Sequence, residues 1–154
     1  MTPADLARYL ARHQVDAQLI TDIGDTATVP KAAAALGVSV EQILKTLLFY
    51  IQGKPYVVIS HGVEPVAVRA LADFFGVGKR QIKLARPQQV LVETGYPVGG
   101  VPPLGHINAH PVVMAETILD YKVAFGGGGD DKTMLRIAVA ELLRLHLPIL
   151  LALK

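Results

Sequence analysis

The sequence predicts an α/β (α+β) fold: a mixed, largely antiparallel β-sheet with flanking helices, in a single domain over residues 1–154. Three observations predict it. Helical and strand patterns are interleaved along the chain. Several strand candidates follow one another too closely for a crossover helix, which favours antiparallel neighbours. No repeat, linker or low-complexity stretch divides the chain, and its 154 residues are usual for one domain.

The elements follow from local chemistry. Thr2-Pro3-Ala4-Asp5 is a capping box with proline at the first helical position. A helix should run on to about His13, with Leu6, Tyr9 and Leu10 on one face. Residues 17–23 form a short segment compatible with a strand. Residues 30–36 are alanine-rich and stop at Gly37, as helices often do. Ser39-Val40-Glu41-Gln42 is a second capping box, opening a very short helix that ends near Leu44. The period then changes. Residues 45–51 and 56–60 are runs of strand-formers, with Gln52-Gly53-Lys54-Pro55 as a hairpin turn between them. Residues 65–75 look helical and end at Gly76, 81–85 read as a strand, and 87–94 as a short helix ended by Gly95. Residues 112–115, 122–125 and 134–138 are further strands. Residues 139–146 are an amphipathic helix with Glu141 and Arg144 on its wet side, stopped by Pro148.

Composition narrows the function classes. There is no cysteine, which removes disulfides, thiolate zinc sites and cysteine nucleophiles. The hydrophobic fraction is 51%, yet no apolar run approaches the ~20 residues needed to span a bilayer. The first residues carry no basic stretch leading into an apolar one, so a cytoplasmic protein without a membrane partner is expected. The net charge of +2 is too small to argue for nucleic acid. Its distribution says more: no acid lies between Asp73 and Glu93, whereas Lys79, Arg80, Lys83 and Arg86 all fall there. The stretch reads either as a solvated strand with its turns or as a phosphate-binding patch.

Lys45 heads an apolar strand whose alternation puts it on one face with Leu47, Phe49 and Ile51. Burying an ammonium alone costs several kcal/mol. Lys45 is therefore either the last wet residue before the strand turns inward or a residue held there for use. Two loops do not fit a packing role, and they hold eight of the fourteen glycines: residues 95–105 and residues 126–131. In the first, glycine permits close backbone approach and proline stiffens the chain between. Such a loop is either a structured turn or an oxyanion hole of bare N–H groups. The second is either a tight hairpin or the opposite wall of a pocket. No Gly-Lys-Ser/Thr follows it, so it is not a Walker motif. His106 and His110 are four apart, but Gly105 and Pro111 break the helix a metal pair would need, and no metal site is expected. There is no Gly-x-Ser-x-Gly elbow.

Ile43-Leu44-Lys45-Thr46-Leu47-Leu48-Phe49, followed by Thr94-Gly95-Tyr96-Pro97-Val98-Gly99-Gly100-Val101-Pro102-Pro103-Leu104-Gly105, resembles the YbaK/prolyl-tRNA-synthetase-associated editing family. The order of elements matches over nearly the whole chain. The resemblance implies a barrel-like sheet and hydrolysis of the ester joining a wrong amino acid to the 3′ end of a tRNA, with no metal or organic cofactor. Aminoacyl-tRNA and an aminoacyl-tRNA synthetase are the implied partners. Lys45 would be the key functional residue, and Gly99, with Gly100 beside it, would lie against the substrate carbonyl. Thr28, Pro103, Phe125, Gly126, Gly127 and Gly128 would bind substrate, and Lys79, Arg80, Lys83 and Arg86 would bind tRNA. Some members carry serine or histidine where this chain has Gly126, so the resemblance assigns no amino-acid preference. The alternative is an inactive module of the same fold that holds tRNA or a synthetase.

Overall fold

A computed structural model describes residues 1–154. Helix α1 (Pro3–Arg12) opens on the Thr2/Asp5 capping box and buries Leu6 and Leu10. Strand β1 (Ala17–Ile20) follows, then α2 (Val29–Leu36), capped by Thr28 and ended by Gly37 in the left-handed conformation. A 3₁₀ turn at Val40–Gln42 leads into β2 (Leu44–Ile51) and its hairpin partner β3 (Lys54–His61). Helix α3 (Val68–Phe75), strand β4 (Ile82–Leu84) and helix α4 (Pro87–Thr94) come next. The chain ends through β5 (Val112–Ala115), β6 (Val123–Gly127), β7 (Met134–Ala138), α5 (Val139–His146) and β8 (Ile149–Leu151).

The strands form two sheets. One has the order β1-β7-β6, the other β4-β2-β3-β5-β8. Four pairings are antiparallel, while β5 runs parallel to both β3 and β8. A single bridge between Ile43 and Phe125 joins the two sheets, so the hydrogen bonding does not close into one barrel. The main core is a cluster of 27 buried residues. A second cluster of Ala32, Ala33, Ile43, Phe125 and Met134 packs α2 onto the seam between the sheets.

Among the differences from the sequence reading, three are instructive. The hairpin loop is only Gln52-Gly53, both at positive φ, as a two-residue turn requires. Pro55 therefore lies within β3, which is tolerated because pairing with β5 begins only at Val57. Helix α3 starts at Val68, not at residue 65, and the Ala67 N–H ahead of it bonds to the distant Leu153 carbonyl. Strand β8 was not expected; three residues are too few to show a period, and it exists through its pairing with β5.

Candidate active site

A cavity of about 410 Å³ opens where the two sheets meet. Its size lies in the range of small-ligand pockets. The N-terminus of α2, the head of β2, the β4–α4 segment and the 98–101 loop form its walls. Most of the lining is hydrophobic, with Thr28, Lys45 and Thr46 among its polar members.

Lys45 is half-buried, and its ammonium donates to the carbonyl of Glu64 in the loop after β3. Burial lowers its pKa first, then the neighbouring Lys154; the carboxylates of Glu41 and Glu64 act in the opposite direction. No hydrogen bond joins the ammonium to the 99–103 loop. Beside it, Thr46 Oγ is buried without a hydrogen-bond partner and belongs to a cavity-lining residue. An unpaired buried hydroxyl is costly unless a ligand completes it. Nothing in the sequence singled out Thr46; a threonine in an apolar strand is ordinary.

Across the cavity, Gly99 has φ +94, a left-handed value that favours glycine, and it is exposed. The Gly99 and Val101 N–H groups make no hydrogen bond within the protein, and both residues line the cavity. They are the free donors the sequence reading sought. Gly100 is not one of them: its N–H donates to the Pro97 carbonyl, and the residue is buried.

The two glycine-rich loops lie against each other and form one wall, not opposite walls. The Gly129 N–H donates to the Gly100 carbonyl at 2.8 Å. A Cβ on Gly100 would meet Asp130 Cα at 2.7 Å, and one on Gly127 would meet the Val101 carbonyl oxygen at 2.5 Å. Gly126 packs between Pro103 and Leu44, and Gly128 sits on Thr133. Of the expected substrate-binding residues, Thr28 and Gly127 line the cavity. Pro103, Phe125, Gly126 and Gly128 do not; they are buried behind it, because close backbone packing consumes the space beside them. Thr28 Oγ also caps α2 by accepting from the Lys31 N–H. Lys79, Arg80, Lys83 and Arg86 lie outside the cavity, all exposed and none in an ion pair.

The geometry joins a strand lysine to a glycine-proline loop over one pocket, and the family model of the aminoacyl-tRNA editing domain matches residues 24–145. The chain belongs to the aminoacyl-tRNA editing domain family. It is 34% identical over 93 residues to the proline–tRNA ligase of Nitratidesulfovibrio vulgaris strain DP4, a match covering 60% of this chain and 16% of the ligase. The uncharacterised protein YwhH of Bacillus subtilis is 27% identical over 118 residues, covering 76% of this chain and 73% of YwhH. A solved structure of a proposed trans-editing enzyme for prolyl tRNA synthetase superposes with a TM-score of 0.87 at 27% identity, over 99% of this chain and 96% of the other.

Two histidines brace the loop of this editing domain. His106 Nε2 lies 2.7 Å from the Pro102 carbonyl, and His146 Nε2 lies 2.7 Å from the Pro103 carbonyl. Burial pushes His106 down to about 4 and lowers His146 as well. Proline has no N–H to anchor the loop, so its carbonyls take these side-chain donors instead. His110 faces elsewhere, 3.0 Å from the Glu93 carboxylate, so the His106/His110 spacing has no shared target. His61 is fully buried, with its two ring nitrogens 2.6 Å from the Glu41 carbonyl and from Thr117 Oγ. No helix of the protein is long and apolar enough to cross a membrane.

Proposed function

We propose that this protein is a trans-editing deacylase that hydrolyses mischarged aminoacyl-tRNA, with proline tRNA carrying a wrong amino acid as the first candidate substrate. The observation that carries the reading is the pocket whose lining brings together Lys45, Thr46, Gly99 and Val101, the last two with N–H groups that make no hydrogen bond within the protein. An aminoacyl ester is already reactive, so holding the carbonyl and a nucleophile in line supplies much of the catalysis.

In this reading the ester carbonyl faces the Gly99 and Val101 N–H groups, which stabilise the oxyanion as it forms. Water, oriented by a ribose hydroxyl, adds to the carbonyl carbon. The C–O bond to the ribose then breaks, the ribose oxygen takes the proton that the water gives up, and the free amino acid and tRNA leave. Lys45 exchanges the Glu64 carbonyl for a phosphate or carbonyl oxygen of the substrate, acting as a compact charged donor. Thr28 and Gly127 border the amino-acid side chain, while Gly100, Pro103, Phe125, Gly126 and Gly128 hold the wall behind. The scheme uses no metal or organic cofactor. Lys79, Arg80, Lys83 and Arg86 meet tRNA phosphates, and the protein works in the cytoplasm beside a synthetase.

One observation favours the second reading, an inactive module that binds tRNA or a synthetase: the hydrogen bond of Lys45 points to Glu64 and not to the glycine loop. Turnover separates the two. Purified protein is incubated with proline tRNA charged with alanine, cysteine, serine or threonine, and then with other mischarged pairs. Release of the amino acid from at least one pair is expected; a folded protein that leaves every pair intact is a binding module.

A further inference from the structure

Beyond the cavity, past Leu84, lies a second recess of about 360 Å³ lined by Tyr50, Lys83, Leu84, Arg86 and Gln89. Leu84 lines both spaces. Tyr50 lies directly opposite Lys83 on the neighbouring strands β2 and β4. Tyr50 follows Leu48, a residue of the cavity lining, two positions further along β2. The four residue steps from Thr46 to Tyr50 span about 13 Å along the strand.

The chemistry of this recess is unspent. Tyr9, Tyr56, Tyr96, Tyr121, Phe74 and Phe75 each have an aromatic partner within the protein. Phe49 and Phe125 are buried. Tyr50 is the remaining aromatic ring: half-exposed and without an aromatic neighbour. Lys83 and Arg86 form no ion pair. The carboxamide oxygen of Gln89 accepts from the Arg86 N–H at 2.8 Å, which fixes the group and leaves its NH₂ free. The one acid close enough to influence Tyr50 is Glu93, and its carboxylate lies 3.0 Å from His110 Nε2. A half-exposed aromatic ring, two unpaired cations and an oriented amide are the parts that hold a single-stranded nucleotide: base on ring, phosphate on cation, base edge on amide.

We infer that this recess is the subsite for an unpaired nucleotide on the 5′ side of the terminal residue of the tRNA, its base stacked on Tyr50 and its phosphate held by Lys83 and Arg86. The inference rests on the tRNA reading above. It adds that the enzyme grips the single-stranded 3′ end in the recess that shares Leu84 with the cavity, so the ester enters the pocket in register.

The test uses two uncharged acceptor-stem minihelices, one ending in the unpaired CCA and one truncated to a blunt end, with binding read by fluorescence anisotropy at fixed salt. The wild-type protein should bind the CCA-ended minihelix more tightly. Tyr50→Ala should weaken that complex about tenfold or more and leave the blunt complex unchanged. Tyr50→Phe, which keeps the ring, should stay near wild type, and matching thermal melts show that the variants are folded. Equal wild-type affinity for both minihelices, or unchanged CCA binding by Tyr50→Ala, overturns the subsite and leaves the tRNA reading standing. Binding of neither minihelix removes the tRNA reading and the subsite with it.

Discussion

Gly127→Ala tests the wall of the pocket. Residue 127 lies on β6 where that strand passes the 99–103 loop, and an alanine Cβ there would sit 2.5 Å from the Val101 carbonyl oxygen and 3.0 Å from its carbon. Carbon and oxygen approach no closer than about 3.3 Å in ordinary close contacts. The loop and strand must therefore separate by roughly 0.8 Å. Both partners are backbone, so no side-chain rotation relieves the clash. Overpacking of this kind costs about 1–3 kcal/mol. For a domain of this size that lowers Tm by about 2–12 °C. The displaced residues, Gly99 to Val101, are those whose N–H groups face the substrate in our scheme, and a shift near 1 Å costs on the order of 10²-fold in rate. Calorimetry and a deacylation time course measure the two effects. Gly78→Ala is the control: its φ is ordinary, nothing lies within 4 Å of the added Cβ, and it should melt and turn over like wild type. A Gly127→Ala protein with wild-type Tm and rate would refute the seam between the glycine loops as a close-packed wall.

Lys45→Ala should reduce deacylation by 10²-fold or more while shifting stability by no more than about 0.5 kcal/mol, since its hydrogen bond is to an exposed loop. Lys45→Arg should be nearly as inactive, and full activity of the alanine variant would remove Lys45 from the site. Changing Lys79 and Arg80 together to alanine should weaken tRNA binding and reduce the salt slope by about 0.7–0.9 per lost phosphate contact; an unchanged slope makes them solvated surface. His106 titrates at about 4 in the fold against 6.5 when unperturbed. Between those values the unfolded chain binds a proton that the folded one refuses. Stability from this group is therefore complete above pH 6.5 and is lost as pH falls toward 4, by about 2–3 kcal/mol at pH 4.5. Urea unfolding from pH 7 to pH 4.5 should show that slope in the wild type and a shallower one in His106→Gln; equal slopes would refute the assignment.

Much of the fold was legible because it is written in short-range chemistry. The Thr2/Asp5 box, the glycine stops at Gly37, Gly76 and Gly95, and the Pro87–Thr94 helix act within one turn of the chain, and the structure has them at those positions. Of the residues expected in the site, Lys45, Gly99, Thr28 and Gly127 line one cavity. The site's finer assignments were not legible. Gly100, Gly126 and Gly128 looked like lining because glycine marks close approach, and glycine does not say whether a ligand or another backbone approaches. Here Asp130, Pro103 and Thr133 do so. Thr46 and His146 went unnoticed, and His106 was weighed only as a metal ligand, because an orphaned hydroxyl and a braced carbonyl exist only once distant segments meet.

By itself, then, the sequence determined most of the elements and the family resemblance, since periodicity, caps and motifs depend on residues that are neighbours in the chain. The tertiary structure alone decided the parallel pairing of β5 with β8, the division into two sheets, the joining of both glycine loops into one wall and the half-exposed ring of Tyr50 beside two unpaired cations. Each of these depends on contacts between residues far apart in sequence, and a local pattern specifies which face of a segment is buried but not what is buried against it.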